Sequence, residues 1–292
     1  MIQNYYSGCP IWANKDWVGE FFSPDAKPRD FLRQYATVLN TVEGNNTFYG
    51  LPKPKTIERW REDTPPDFRF SFKFPQTISH EKKLLNVKEL VAGFLRVMAP
   101  LAERIGIFFL QLPPTFNAHH LAVLETFLAS LPRDFAYAVE VRHHDFFDHG
   151  DHEQRFNELL MRCNVNRAMF DTVVLHDITS HDPFVVAAQR RKPKMPARLI
   201  ATGQHPFLRF VGYNEVAPNI PHLTTLAGTI AEWIKNGLKP FVFFHSPDDF
   251  HAPHLCRAFH QVLTQRLEEK VVGVMPKWPV DSSKNGEQLS LF

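Results

Sequence analysis

The chain has 292 residues, 44% apolar and 22% charged, enough to bury a large core and unlike disordered or fibrous proteins. Lys plus Arg number 33 against 31 Asp plus Glu, a formal charge of +2; no chain-wide field selects nucleic acid or anionic lipid, so such a partner needs a local patch. Three cysteines, Cys9, Cys163 and Cys256, are far apart and outside CxxC spacing, which argues against a disulfide framework or a thiolate zinc site and suits a reducing compartment.

The opening Met1-Ile2-Gln3-Asn4 has no basic stretch leading into an apolar run, and nothing approaches the roughly 18 apolar residues of a membrane span. The expectation is a cytoplasmic protein with no membrane partner. The sequon Asn45-Asn46-Thr47 then carries no glycan. In chain order, short runs rich in Phe, Val and Ile fall at 2–9, 37–45, 69–74, 105–112, 136–143, 167–172, 206–212 and 239–246. Each is the length of a strand, and successive runs start 31 to 39 residues apart. Between them lie segments with apolar residues at i, i+3, i+4 and i+7, such as Phe31, Tyr35, Val38 and Leu39, or Leu90, Phe94, Val97, Met98 and Leu101. These predict helices, as do 118–132, 153–164, 224–237 and 253–267, while Pro54 suits the first turn of a helix running through Trp60 and Arg61.

Strand then helix, eight times, implies parallel strands. Eight units in about 270 residues match a TIM (β/α)8 barrel of typical size, with a doubly wound open sheet as the competitor. Polar groups end nearly every run: Glu43 and Asn45, Lys73, Gln111, Glu140 and Arg142, Asp171, Arg209 and His245. An open sheet concentrates its site at one switch point, whereas a barrel gathers every strand end around one mouth, so the even spread favours the barrel. Residues 1–270 are expected to form this single domain and 271–292 a flexible tail containing Pro, Gly and Ser.

Strand side chains alternate between faces. Glu140 and Arg142 share parity with Ala138, Glu43 and Asn45 with Thr41, Lys73 with Ser71, Gln111 with Phe109, Arg209 with Phe207, and His245 with Phe243. The polar set is therefore expected to point inward, with Glu43, Glu140 and Asp171 facing Lys73, Arg142 and Arg209. Three charges of each sign fit an anion site with carboxylates as acid or base better than a multi-metal centre, where cations compete with the metal. An internal ion-pair network that only orders the barrel is the competing account.

The run from His143 to His152 is rich in potential metal ligands, with His143 nearest the mouth, but its spacing fits no metal motif and reads equally as a solvated loop. The reading is metal-free and calls for no cofactor. A basic stretch, Arg190, Arg191, Lys192, Lys194 and Arg198, lies between the sixth and seventh strands, either overhanging the mouth or simply solvated. Cys9 reads as a small packed residue. His80, beside Ser79, is within reach of the mouth or incidental to a helix cap.

Val42-Glu43-Gly44-Asn45-Asn46-Thr47-Phe48-Tyr49, Phe72-Lys73, Gln111-Leu112-Pro113-Pro114 and Ala138-Val139-Glu140-Val141-Arg142-His143, in that order, resemble the YecE-like family, also called domain of unknown function 72. The resemblance runs from about residue 5 to about residue 265. It implies a TIM barrel and supplies no established reaction. It singles out Glu43, Asn45, Thr47, Tyr49, Lys73, His80, Gln111, Glu140, Arg142, His143, Asp171 and Arg209. Members have been likened to endonuclease IV-type barrels, a likeness of fold that does not transfer activity. The chain departs from the family pattern at Ser7-Gly8-Cys9-Pro10, at Phe210-Val211-Gly212 where a His-Gly pair is common, and at His245-Ser246 where an Asn is usual. His245 is thereby left as a substitute for the missing His.

The chain ends Gln288-Leu289-Ser290-Leu291-Phe292, which looks like the short peptide by which bacterial DNA polymerases and repair proteins dock onto the sliding clamp. Leu289, Leu291 and Phe292 would enter an apolar pocket, with Gln288 supplying an orienting hydrogen bond. The leading expectation is an enzyme, hydrolase-like in the manner of a phosphodiesterase or nuclease, acting on a phosphate-containing or other anionic substrate and recruited to DNA through this peptide. Lys73, Arg142 and Arg209 would bind the anion; Glu140, Asp171 and Glu43 would act as acid or base, with His245 and His143 in support. The rivals are an isomerase or hydrolase of a small phosphorylated sugar, and a non-catalytic clamp-binding adaptor.

Overall fold

In the computed structural model, which describes residues 1–196 and 198–282, the apolar runs form eight strands: β1 (Tyr6–Gly8), β2 (Thr41–Gly44), β3 (Arg69–Lys73), β4 (Ile105–Gln111), β5 (Tyr137–Glu140), β6 (Asn166–Asp171), β7 (Phe207–Val211) and β8 (Phe241–His245). All pairings are parallel, in the order β1-β8-β7-β6-β5-β4-β3-β2, as the strand–helix alternation requires. The predicted helices form the outer layer, among them Pro54–Glu62 with Pro54 in its first turn, Leu121–Ser130, Asp151–Arg162, Ile220–Lys235 and Ala252–Thr264. Ile107, Phe109, Ala138, Ala168, Phe207, Phe241 and Phe243 fill the barrel interior, while the intervening strand residues, such as Phe108, Val139, Phe210 and Phe244, join the core under the helices. The chain is a single TIM barrel, nearly closed.

The seam lies between β1 and β2, which share no ladder. Two side chains and one backbone hydrogen bond close it. Asn40 accepts from the Ser7 N–H at 2.8 Å and donates to the Tyr5 carbonyl at 2.9 Å. The Tyr35 hydroxyl accepts from the Cys9 N–H at 2.7 Å and donates to the Thr41 carbonyl at 2.8 Å, and the Glu43 N–H donates to the Cys9 carbonyl at 3.0 Å. A Cβ on Gly8 would lie 2.1 Å from the Thr41 carbonyl oxygen, so only glycine permits this approach. Asn40→Ala strands two buried backbone groups and is expected to cost about 2 kcal/mol. A urea unfolding midpoint unchanged by that substitution would show that the seam does not depend on Asn40.

Two features depart from expectation. The β6–β7 crossover, read from sequence as a basic stretch, contains the helices Val173–Asp177 and Pro183–Arg191. The latter is started by Asp182, whose carboxylate accepts from the Phe184 N–H, with Pro183 in the first turn. Their apolar residues Leu175, Val185 and Ala188, with Met195, pack on Phe170 and Val211 and cover one side of the strand ends. The segment 271–282, counted with the tail, is part of the fold: Ile2 bridges Gly273, Trp278 is buried edge-on against Phe21, and the Arg257 guanidinium lies 3.4 Å from the Trp278 ring centroid. Among the described residues no helix is long and apolar enough to cross a membrane.

Candidate functional site at the barrel mouth

Parity places Glu43, Lys73, Gln111, Glu140, Arg209 and His245 on the inner face at the carboxyl ends of β2, β3, β4, β5, β7 and β8, and all are buried. They do not form one even ring of charge. Arg209 takes both glutamates: Nε and Nη2 donate to Glu43 Oε2 and Oε1 at 2.7 Å each, and Nη1 donates to Glu140 Oε2 at 2.5 Å. Glu43 also accepts from Asn45 Nδ2 at 2.7 Å, with His245 Nε2 3.4 Å from its Oε2. Arg142 donates through Nε to Glu140 Oε1 at 2.8 Å and through Nη2 to Gln111 Oε1 at 2.9 Å. Phe170 backs the set, its ring centroid 4.9 Å from the Arg209 guanidinium carbon and 5.2 Å from that of Arg142.

These contacts fix the protonation states. Burial alone would raise the Glu43 and Glu140 carboxyls, but Arg209 reverses this, holding Glu43 well below the usual carboxylate range and Glu140 also below it. Arg209 is correspondingly driven further toward the charged form, the two glutamates outweighing its burial. Both glutamates are thus ionised counter-ions, ill suited to donate a proton near neutral pH.

The lysines are different. Lys73 Nζ donates to Gln111 Oε1 at 2.9 Å and stands 3.7 Å from the Phe48 ring centroid. Burial first, and the nearby Arg209 second, bring its pKa down to about 7. Lys192, from the segment after Pro183–Arg191, reaches the same space, its pKa lowered by burial against the pull of Asp249. Among the described residues neither ammonium has a carboxylate within 4.0 Å. Both line a cavity of 280 Å³ with Asn45, Tyr49, His245 and Asp249. His245 Nε2 and Asp249 Oδ1 are buried there without an aligned hydrogen bond; burial lowers the His245 pKa and raises that of Asp249. Larger hollows of 410 and 540 Å³ lie beside Ala252–Thr264 and Asp151–Arg162, but the mouth is where buried titratable groups from many strands converge, the usual mark of a site.

Eight of the sequence-predicted residues therefore come together: Glu43, Asn45, Lys73, Gln111, Glu140, Arg142, Arg209 and His245. Tyr49 joins them at the rim, 77% exposed. Three do not converge. Asp171 follows inward-facing Phe170 and so points outward, where its Oδ2 lies 2.6 Å from His222 Nε2 on Ile220–Lys235; that hydrogen bond raises the His222 pKa. His80 contacts the mouth through Phe48, its ring 5.1 Å away edge-on, with its pKa brought to about 4 by burial and Lys73. His143 turns into the loop, where its Nδ1 accepts from the Asp145 N–H at 3.3 Å.

His143, His144 and Asp145 bring potential ligand atoms within 4.8 Å of one another. Asp145 also accepts from the Ala118 N–H at 3.0 Å through Oδ2, which ties this loop to the one after β4. Arg190, Arg191 and Lys194 are exposed, and Arg198 pairs with Glu153; of the basic stretch, Lys192 alone lines the mouth cavity. In the sequence Lys192 is indistinguishable from the rest of that stretch, and Asp249 carries little that marks it. Its signal was the Ser246-Pro247-Asp248-Asp249 turn after β8, where Asp249 takes a φ of 60°, a conformation Asp tolerates better than most residues.

Comparison with known proteins agrees with this architecture. The chain is 41% identical over 278 residues to the UPF0759 protein YecE of Escherichia coli K12, covering 95% of this chain and 98% of that protein, and 40% identical, with the same coverage, to YecE of Escherichia coli O157:H7. Among solved structures it resembles a DUF72 family protein from Enterococcus faecalis V583, with a TM-score of 0.68 at 19% identity over 89% of this chain and 95% of that one. It also resembles a DUF72 family protein from Thermotoga maritima MSB8, with a TM-score of 0.66 at 24% identity over 91% and 99%; at such identities the likeness is one of fold. A family model described as protein of unknown function DUF72 matches residues 6–279, and the chain belongs to that family.

Proposed function

We propose that the barrel mouth binds a small phosphate-containing or otherwise anionic ligand, gripped by Lys73 and Lys192, with Asp249 and His245 as the groups free to move a proton. The observation that carries this reading is the split in the charge set. Arg209 is consumed by Glu43 and Glu140, whereas the two ammonium groups line one cavity without a carboxylate partner among the described residues. Lys73, the buried one of the two, is a cation without a close counter-charge, which is costly, and a bound anion removes that cost. Relative to the sequence-based assignment, anion binding moves from Arg209 to Lys192, and acid–base work from the glutamates and Asp171 to Asp249. A cavity of 280 Å³ is at the small end for ligand sites, and the net charge of +2 gives no broad field for a polyanion. Both favour a small phosphorylated molecule over a duplex inside the mouth.

Calorimetric titration of the full chain with sulfate, whose charge does not change near neutral pH, tests the reading. Each charge-assisted hydrogen bond is worth about 1.5–3 kcal/mol, so Lys73→Met/Lys192→Met should bind at least about tenfold more weakly than wild type. Affinity should also fall as pH rises through about 7, where Lys73 loses its proton. Equal binding by wild type and the double variant, at any pH, would remove both lysines from the site.

Recruitment to the DNA sliding clamp is a separate part of the proposal. It rests on the pentapeptide Gln288, Leu289, Ser290, Leu291 and Phe292, which lies outside the described residues.

A further inference from the structure

Lys73 is poorly placed to be a simple counter-ion. It is 8% exposed, so water does not compensate its charge, and its Nζ meets an amide oxygen of Gln111 and the face of Phe48 rather than a carboxylate. The groups around it come from every side of the mouth. Arg209 on β7 and Arg142 after β5 repel a proton on it; Glu140 on β5 and Glu43 on β2 attract one, but both are engaged by Arg209; His80 beyond Phe48 is a further neighbour. A sizeable fraction of Lys73 is therefore neutral amine at ordinary pH, the form that acts as a nucleophile. In the same cavity stand a second ammonium with no carboxylate within 4.0 Å among the described residues, Lys192, and a carboxyl group, Asp249, and burial keeps the Asp249 proton on to higher pH than an exposed carboxyl would.

We propose that Lys73 is a carbonyl-reactive amine and that the ligand of the mouth is an aldehyde or ketone bearing a phosphate or similar anionic group, which Lys192 holds. This inference rests on the anion-binding reading of the same cavity: protonated Lys73 adds to Lys192 in holding a simple anion such as sulfate, while its neutral form attacks the carbonyl of a ligand whose anionic group Lys192 holds. The Nζ lone pair attacks the carbonyl carbon, and the π pair moves to oxygen, which takes the Asp249 proton; the nitrogen returns one proton to the Asp249 carboxylate, leaving a carbinolamine. Asp249 then protonates the hydroxyl, which departs as water while the nitrogen lone pair forms the C=N bond. The product is a protonated imine with the carbonyl oxygen released as water, and no oxidant or reductant is consumed. The imine acidifies the adjacent C–H bonds, chemistry that serves isomerisation or carbon–carbon cleavage of a phosphorylated sugar.

The test is reductive trapping on the full chain. Dihydroxyacetone phosphate is added with borohydride, and the modified residue is located by peptide mass mapping, with unphosphorylated dihydroxyacetone as comparator. The expected result is one reduced adduct on Lys73 in wild type, at least tenfold less with the unphosphorylated ketone or in Lys192→Met, and half-maximal labelling near pH 7. Labelling spread over exposed lysines with Lys73 unmodified overturns the imine; if sulfate still binds in a Lys192-dependent way, the anion site survives that failure. Trapping on Lys73 that is equal with both ketones and unchanged in Lys192→Met overturns the anionic ligand while sparing the reactive amine. The wild-type mapping decides the matter even if Lys73→Met fails to fold.

Discussion

Arg209→Met is expected to lower the folding stability by about 3–5 kcal/mol at pH 7, a drop in melting temperature on the order of 10 °C. Arg209 spans the barrel axis, joining β7 to Glu43 on β2 and Glu140 on β5 through three hydrogen bonds among buried groups. Methionine keeps much of the volume but leaves Glu43 with only His245 nearby and Glu140 with only Arg142, in a desolvated interior where an under-compensated charge costs far more than the pair is worth against an apolar replacement. The pH dependence separates this mechanism from a packing defect. In wild type the depressed Glu43 and Glu140 pKa values stabilise the fold above the unfolded value of about 4.3, and that contribution is lost as pH falls through their folded values. Without Arg209, burial is opposed only by His245 at Glu43 and by Arg142 and Lys73 at Glu140, so both carboxyls rise toward neutrality and the variant's deficit should shrink as pH falls. Glu43→Gln/Glu140→Gln/Arg209→Met, which carries no charge at these positions, should recover most of the loss. A deficit below about 1 kcal/mol, or one that stays constant between pH 7 and pH 5, would show that the network does not hold the barrel together.

The same split explains how far the sequence could be read. Strand positions followed from Phe-, Val- and Ile-rich runs, and the inward set followed from parity, because period-2 alternation on a buried strand leaves one choice of face. Asp171 is placed at the mouth by its position at a run's end and not by parity: Ala168 and Phe170 face inward on β6, so the next residue faces the helices, as the same alternation would have indicated. Charge pairing was not. Counting three cations against three carboxylates cannot reveal that one arginine takes two glutamates, since that depends on β2, β5 and β7 meeting across the axis. Lys192 was hidden for another reason. Its place depends on the crossover folding back over the strand ends, where the Thr172 hydroxyl donates to the Pro193 carbonyl and accepts from the Met195 N–H, at 2.9 Å each, and where His176 Nε2 sits 3.0 Å from the Lys192 carbonyl oxygen. Those ties join residues about twenty apart, beyond what periodicity reports, and basic runs are ordinarily solvated.

The 292-residue chain is expected to bind an immobilised bacterial sliding clamp, and Leu291→Ala/Phe292→Ala to weaken that binding by at least about 100-fold. Apolar anchors that fill a partner's pocket cost about 2 kcal/mol or more each on truncation, and two such losses multiply. Trp278 and Val280 pack on the barrel, and five residues, 283–287, stand between the last described residue and Gln288, a reach of up to about 20 Å when extended. That length allows a peptide to enter a neighbouring surface while the barrel stands clear of it. Because docking and the mouth use different residues, Lys73→Met should bind the clamp as wild type does, and the pentapeptide variant should bind sulfate unchanged. Tethering would then raise the local concentration of a near-neutral barrel at DNA, which its own charge does not do. A 292-residue chain that fails to bind the clamp, or a double variant that binds it equally well, would leave the mouth chemistry standing and dismiss the recruitment.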